Sequence, residues 1–265
     1  MLPVVFVSHG APTLAVDVGD PTHAFLSALG RELPLPRAII VISAHWEDDV
    51  FAVTGAERLS TIHDFSGFPA ELYDIRYEPP GDPALAARIA GLIAGAGLPS
   101  RVDPARGLDH GAWVPLMLAY PAADIPVVQV SLRRGLDAAQ HIALGRALAP
   151  LRKDHLIIAS GSAVHNLRML DWAAMGQPAQ DAASAPWAAA FEDWLRETMA
   201  LSGVPRQSRL AEWESAPEAR RAHAREEHLI PLHVAAGAGG DEPAALVHQS
   251  WQMGNLSLSA WRLGK

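Results

Sequence analysis

Ile39-Ile40-Val41-Ile42-Ser43-Ala44-His45 is a short, nearly all-apolar, β-branched run that stops at a histidine. Two further stretches have the same form. Val4-Val5-Phe6-Val7-Ser8-His9 lies near the start of the chain, and Leu156-Ile157-Ile158-Ala159-Ser160-Gly161-Ser162-Ala163-Val164-His165 lies past its middle. Runs of this kind read as strands buried on both faces, which is the pattern of a largely parallel sheet. The carboxyl ends of parallel strands lie along one edge, and ligand crevices form there. Three imidazoles delivered just past those ends are the beginning of a metal site.

Outward from these runs, further strands are expected near 50–54, 126–132, 245–251 and 255–262, with helices between them. Asp20-Pro21 supplies an N-cap and a first-turn proline for a helix through about Leu33, and Asp82-Pro83 does so for one through about Ala96. Asp137 caps a third, through Leu151. Ser184 opens a fourth that closes near Gly203, and Ser215 with Glu218 matches a capping box leading toward His228. Strands alternating with helices predict an α/β fold, a three-layer α/β/α arrangement with a central mixed, largely parallel sheet. No repeat or boundary divides the chain, so residues 1–265 are read as one catalytic domain, with Ala173–Pro186 as a surface loop. Two turn-rich segments, Thr61–Pro69 and Gly107–Trp113, read as structureless loops that wall an active site.

Composition narrows the chemistry. With 49% hydrophobic and 19% charged residues the chain has what a packed core needs, so disorder is not expected. A formal charge of −8 and the lack of a dense basic block argue against nucleic acid or an anionic membrane as partner. No apolar run is long enough to span a bilayer. There is no cysteine, which excludes disulfides, thiolate ligands and thiol nucleophiles, so His, Asp or Glu must hold any metal. Met1-Leu2-Pro3 enters a strand with no basic segment before it, so no secretory leader is expected and the location is read as cytoplasmic. A homo-oligomer stays open.

Twelve histidines must be sorted. His23, His141 and His223 fall within amphipathic helices, and His155 and His248 within strands; all five read as satisfied structural residues. His9 sits at a Gly/Pro turn that lets the backbone approach an ion closely, and His45 precedes Trp46. His228 lies in Glu226-Glu227-His228-Leu229-Ile230-Pro231-Leu232-His233. Pro231 should kink or loosen a helix there and turn His228 inward. Glu227 competes with it as third donor, because two histidines and one carboxylate suit non-haem Fe(II). His165 reads as a fourth ligand or a general base. His110 beside Asp109, and His63 beside Asp64, each have an adjacent carboxylate able to orient the imidazole.

Ser8-His9-Gly10, Ser43-Ala44-His45-Trp46, the His63–Pro69 segment, Leu108-Asp109-His110-Gly111, Val164-His165-Asn166-Leu167 and Glu227-His228-Leu229-Ile230-Pro231-Leu232 occur together in this order. The set resembles the class III extradiol ring-cleavage dioxygenases of the LigB type, nearest the branch that includes bacterial and plant 4,5-DOPA dioxygenases. The resemblance implies a single α/β domain with one metal ion. By motif, His9 and His45 would be ligands, His228 would complete the site, and His165 would be a ligand in zinc-bound members or the acid/base residue. Protocatechuate-cleaving relatives use a glutamate as third ligand, whereas this chain offers His228 beside Glu227.

The implied reaction inserts both atoms of O₂ into a catechol and cuts the ring beside the diol. Fe(II) is the expected active metal, and zinc is the ion a purified sample could carry, since zinc outcompetes Fe(II) for nitrogen-rich sites. His165 or His110 would take a catechol proton. His63, Asp64, Phe65, Trp46, Trp113 and Tyr73 are the expected substrate-binding residues; no residue declares itself for the amino-acid tail of a DOPA-like substrate, and Arg168 is a guess for it. Two alternatives share the histidines: a zinc-dependent hydrolase or lyase, and a non-catalytic interaction protein similar to the Memo proteins.

Overall fold

The computed structural model describes residues 1–174, 177–181, 183 and 185–264. Eight strands form one sheet: β1 (Val4–Ser8), β2 (Ala38–Asp48), β3 (Phe51–Thr54), β4 (Ser100–Asp103), β5 (Val127–Arg133), β6 (His155–Gly161), β7 (Ala245–His248) and β10 (Ala260–Leu263). A separate hairpin pairs β8 (Trp251–Gln252) with β9 (Leu256–Ser257). The sheet order is β4-β3-β5-β2-β6-β1-β10-β7. Its centre, β5-β2-β6-β1, is entirely parallel, and β10 and β7 add antiparallel strands at one side. The three runs that end in histidine are thus neighbours, β2, β6 and β1.

The helices are α1 (Pro21–Glu32), α2 (Glu71–Asp74), α3 (Pro83–Gly95), α4 (His110–Ala119), α5 (Ala138–Leu148), α6 (Pro186–Ala200), α7 (Gly203–Ala211), α8 (Ala219–Ala222) and α9 (Ile230–Ala238). Alternate residues of the central strands feed two cores. Val4, Phe6, Ile40, Ile42, Val130 and Ile157 pack on one face with α3, α5, α6 and α9. Val5, Val7, Ile39, Val41, Leu156 and Ile158 pack on the other with α1 and α4. Each fully buried aliphatic side chain of this kind contributes about 1.5–3 kcal/mol. The expected three layers are present, with the sheet in the middle.

Asp20, Asp82 and Asp137 accept from the backbone N–H of Thr22, Leu85 and Gln140, as caps should. Other expectations need correction. Ser215 closes a 3₁₀ turn by donating to the Glu212 carbonyl, and Glu218 makes no side-chain cap, so the expected capping box does not form. Pro231 kinks nothing; it occupies the first turn of α9, where a missing N–H costs no hydrogen bond. Ser184 lies outside the described residues, and the helix expected from it runs from Pro186 to Ala200. Gly107–Trp113 is not a structureless loop, because α4 begins within it at His110. Strand β4 and helix α7 had no expectation. No helix among the described residues is long and apolar enough to cross a membrane.

Candidate metal centre

β2 does not end before His45 but continues through Asp48, with a register shift between Ile42 and Glu47. Over that interval β2 advances five residues while β5 advances two, from Val130 to Leu132. Such a bulge re-aims a side chain within a strand, and here it delivers His45. The Ser43 hydroxyl accepts from the His45 backbone N–H at 3.2 Å and donates to Asp109 Oδ1 at 2.6 Å. His9 follows β1 directly, and its N–H donates to the Gly161 carbonyl on β6. His228 sits in the turn before α9, with its carbonyl accepting from Ser162 N–H at 2.9 Å, just past the end of β6.

These placements bring one ring nitrogen each of His9, His45 and His228 within 4.8 Å of one another. The ring centroids lie 4.9 Å (His9–His45), 5.3 Å (His9–His228) and 4.9 Å (His45–His228) apart. His165 stacks on His228 at 3.6 Å and 11°. His110 lies 4.0 Å from His45 and edge-on to His9 at 5.4 Å. Glu227 does not join His9 and His45; its Oε1 lies 3.0 Å from His228 Nδ1, and Arg225 faces its other oxygen at 3.4 Å.

Proton bookkeeping then tests whether a cation fits. His9 Nδ1 lies 2.9 Å from Ser160 Oγ. The Ser160 hydroxyl gives its own proton to the Gly111 carbonyl, so His9 Nδ1 must be the donor. His45 Nδ1 faces Asp64 Oδ2 at 3.5 Å, and a carboxylate only accepts. Both rings therefore carry their proton on Nδ1. Their Nε2 atoms nonetheless face each other at 2.9 Å. Two lone pairs at that distance repel unless a cation lies between them. The Nδ1 of His228 is likewise engaged, by Glu227, which leaves its Nε2 free. Each ligand candidate thus has an outer partner on Nδ1, as metal-binding imidazoles do.

Electrostatics agree. Burial, reinforced by the neighbouring imidazoles, pushes His9 and His228 well below the usual histidine value. Burial first, then its neighbours, brings His45 and His165 to about 4. At neutral pH these rings are uncharged and can coordinate. Burial resists ionisation of Asp64, but the hydrogen bonds from His110, and the positive charge that His110 and His45 carry in the acid range where this carboxyl titrates, hold it at about 2.

The two adjacent-carboxylate expectations are overturned. Asp64 partners His110, not His63: its Oδ1 lies 3.0 Å from His110 Nδ1. His63 Nε2 lies 3.1 Å from the Ile75 carbonyl instead. Asp109 does not hold the His110 ring. It is fully buried, caps α4 through Ala112 N–H, and binds Ser43, Gln129 and Arg106. A residue and its sequence neighbour point apart at a helix start, so adjacency was a poor guide to contact.

Phe65 stands edge-on to His110 at 5.8 Å and packs on Tyr73 at 5.1 Å. His63 joins the same aromatic group, 5.9 Å from Tyr73. Trp113 is core, its Nε1–H donating to the Ile62 carbonyl, and Trp46 is buried beneath the Arg106 guanidinium. Arg168 is exposed. The five histidines read as structural are bonded away from this centre: His23 to the Leu14 carbonyl, His141 to the Asp137 carbonyl, His155 to the Leu151 carbonyl, His223 to the Ala163 carbonyl and His248 to Thr22. Sequence reading missed the Ser160 hydroxyl that orients His9, although a serine at the carboxyl end of β6 was a usable signal.

A family profile described as the catalytic LigB subunit of aromatic ring-opening dioxygenase matches residues 3–263. A 4,5-DOPA dioxygenase extradiol of Beta vulgaris is 47% identical, covering 97% of this chain and 94% of its own length. One of Escherichia coli K12 is 38% identical over 99% and 95%. The crystal structure of an uncharacterized protein from Escherichia coli K12 superimposes with a TM-score of 0.83 at 34% identity, covering all of both chains.

Proposed function

The chain belongs to the LigB family of aromatic ring-opening dioxygenases, and from that premise we propose that it opens a catechol ring in the extradiol manner on Fe(II) held by His9, His45 and His228. The metal cofactor follows from the family and from the histidine cluster; the choice of Fe(II) is our reading, as are the residue roles. The observation that carries it is the 2.9 Å approach of His9 Nε2 to His45 Nε2 while Ser160 and Asp64 face the two Nδ1 atoms as acceptors, an arrangement that calls for a cation between the Nε2 atoms. When bound, the ion acidifies the diol and holds catechol and O₂ together.

The remaining work falls to the chain. His110 and His165 flank the three ligands, and each is an imidazole able to take a catechol proton and return it during ring rearrangement. Burial keeps His165 unprotonated at neutral pH, the state a base requires. Phe65, Tyr73 and His63 form the aromatic wall beside His110 against which the substrate ring stacks. Trp113 backs that wall from the core, 6.1 Å from His63 and 6.4 Å from Phe65, Trp46 lies buried under Arg106, and Asp64 reaches the centre from the segment that carries His63 and Phe65. The relatives named for DOPA make a DOPA-like catechol the first substrate to try. We read residues 1–265 as one catalytic domain acting in the cytoplasm on a small catechol and O₂.

The test is anaerobic loading with Fe(II), then addition of a catechol panel headed by DOPA, then O₂. A yellow ring-opened semialdehyde with one O₂ consumed per substrate is expected. Hydrolytic turnover of ester or amide substrates by the zinc form, with no O₂ uptake by the iron form, would remove the proposal.

A further inference from the structure

The carboxylate of Asp64 touches two imidazoles at once. Its Oδ1 accepts from the His110 backbone N–H at 2.9 Å and lies 3.0 Å from His110 Nδ1, while Oδ2 faces His45 Nδ1 at 3.5 Å. We propose that Asp64 is a positioning residue shared by the metal centre and the proton-transfer group: one carboxylate keeps His45 and His110 both in the Nδ1–H form, so that His45 offers Nε2 to the metal and His110 offers Nε2 to a substrate hydroxyl. This rests on the metal-centre reading above and assigns Asp64 a different task from contacting substrate.

Three features support it. The two hydrogen bonds that His110 donates to Asp64 Oδ1, from main chain and ring, fix the ring about its side-chain axis, which a single acceptor such as the Ile75 carbonyl on His63 does not do. The His45 and His110 rings are 4.0 Å apart and tilted by 47°, close enough for the two oxygens of one carboxyl group to serve both. The segment carrying Asp64 is itself tied to the start of α4. Ile62 N–H donates to the Leu108 carbonyl at 2.8 Å, and Trp113 Nε1–H donates to the Ile62 carbonyl at 3.0 Å. An exposed aspartate is therefore held in register with both rings. With Nδ1 committed to Asp64, Nε2 is the nitrogen His110 presents as a base.

Asp64→Asn separates the roles. An asparagine retains one acceptor oxygen for His110, but its amide N–H₂ then meets the Nδ1–H of His45, donor against donor. Zinc affinity, read by competition with a chelating dye, is expected to fall about 10–100-fold in the variant. In the Fe(II)-loaded enzyme at saturating metal, kcat should fall while KM stays within about twofold. Equal zinc affinity in variant and wild type overturns the proposal. So does a raised KM with unchanged kcat, which would make Asp64 a substrate contact. Imidazole ¹⁵N NMR on the zinc-loaded wild type supplies a measurement that needs no variant: both rings are expected as Nδ1–H, and either one found as Nε2–H overturns the proposal. Should the wild type open no catechol, the functional reading fails by itself, while the zinc affinities and the tautomers still decide the role of Asp64.

Discussion

At the scale of single residues, Gly111 shows how tightly the centre is built. A Cβ placed there would lie 2.8 Å from His45 Cδ2 and 3.1 Å from His9 Cε1, and would press on the Ser43 hydroxyl. Ring atoms of two ligand candidates and a serine that fixes the bulge leave no room for a methyl group. Gly111→Ala should therefore displace the imidazoles, weakening zinc binding by 10-fold or so and costing about 1–3 kcal/mol of stability. Chelator competition and urea unfolding measure the two effects. Asp109 is the complementary case. It is buried and accepts from Ser43, Gln129 and Ala112 while facing Arg106 at 3.4 Å. Asp109→Ala would leave buried donors unpaired and a guanidinium without its counterion, so urea unfolding should show a loss of about 3–5 kcal/mol.

At the scale of elements, β2, β6 and β1 were legible because burial on both faces writes an unbroken apolar run. Helices α1, α3 and α5 were legible because aspartate caps announce them. Helix α4 was not legible. It is apolar around its circumference, with Gly111, Ala112, Trp113, Val114 and Leu116 all buried, so no amphipathic period marks it. The turn-forming look of Gly107–Gly111 concealed its start. Strand β4 is four residues long with two exposed, too short for alternation to be read. Helix α5 carries a prediction of its own. His141 donates from Nδ1 to the Asp137 carbonyl at 2.7 Å and accepts at Nε2 from Arg133 N–H at 3.1 Å, which fixes it neutral between α5 and β5. Burial is the main reason its pKa drops to about 4. Between pH 6.5 and 4 the unfolded chain binds a proton at this residue that the folded chain refuses, so stability falls as pH falls through that window. His141→Gln keeps one donor and one acceptor and removes the titration. The difference in unfolding free energy between pH 7 and pH 5 should then shrink by about 2 kcal/mol relative to wild type. An unchanged difference would show that His141 takes up its proton alike in both states.

At the scale of the whole molecule, the centre is a junction of distant chain segments: the end of β1, the bulge of β2, the start of α4, the span after β6 and the turn before α9. The sequence announced that histidines would gather at one edge, since parallel strands order their carboxyl ends. It did not reveal that His45 arrives by a bulge, that Asp64 crosses to His110, or that His228 is presented by a turn ahead of α9. Those are contacts between segments far apart in sequence, and adjacency carries no information about them. The same architecture makes metal binding a stability measurement. Three ligand candidates converge in the native state and are scattered in the unfolded chain, so an ion binds the folded form more tightly. Zinc at about 100 times its dissociation constant should add about 2.7 kcal/mol, which for a chain of this size raises Tm by roughly 5–10 °C. A chelator should reverse the rise. His9→Ala should abolish it, because the substitution removes one of the three ligands, the ring that Ser160 orients. Calorimetry on metal-free protein, with and without zinc, measures all three. A Tm that does not move with zinc would mean that the histidines gathered at this edge do not hold a cation in the folded protein.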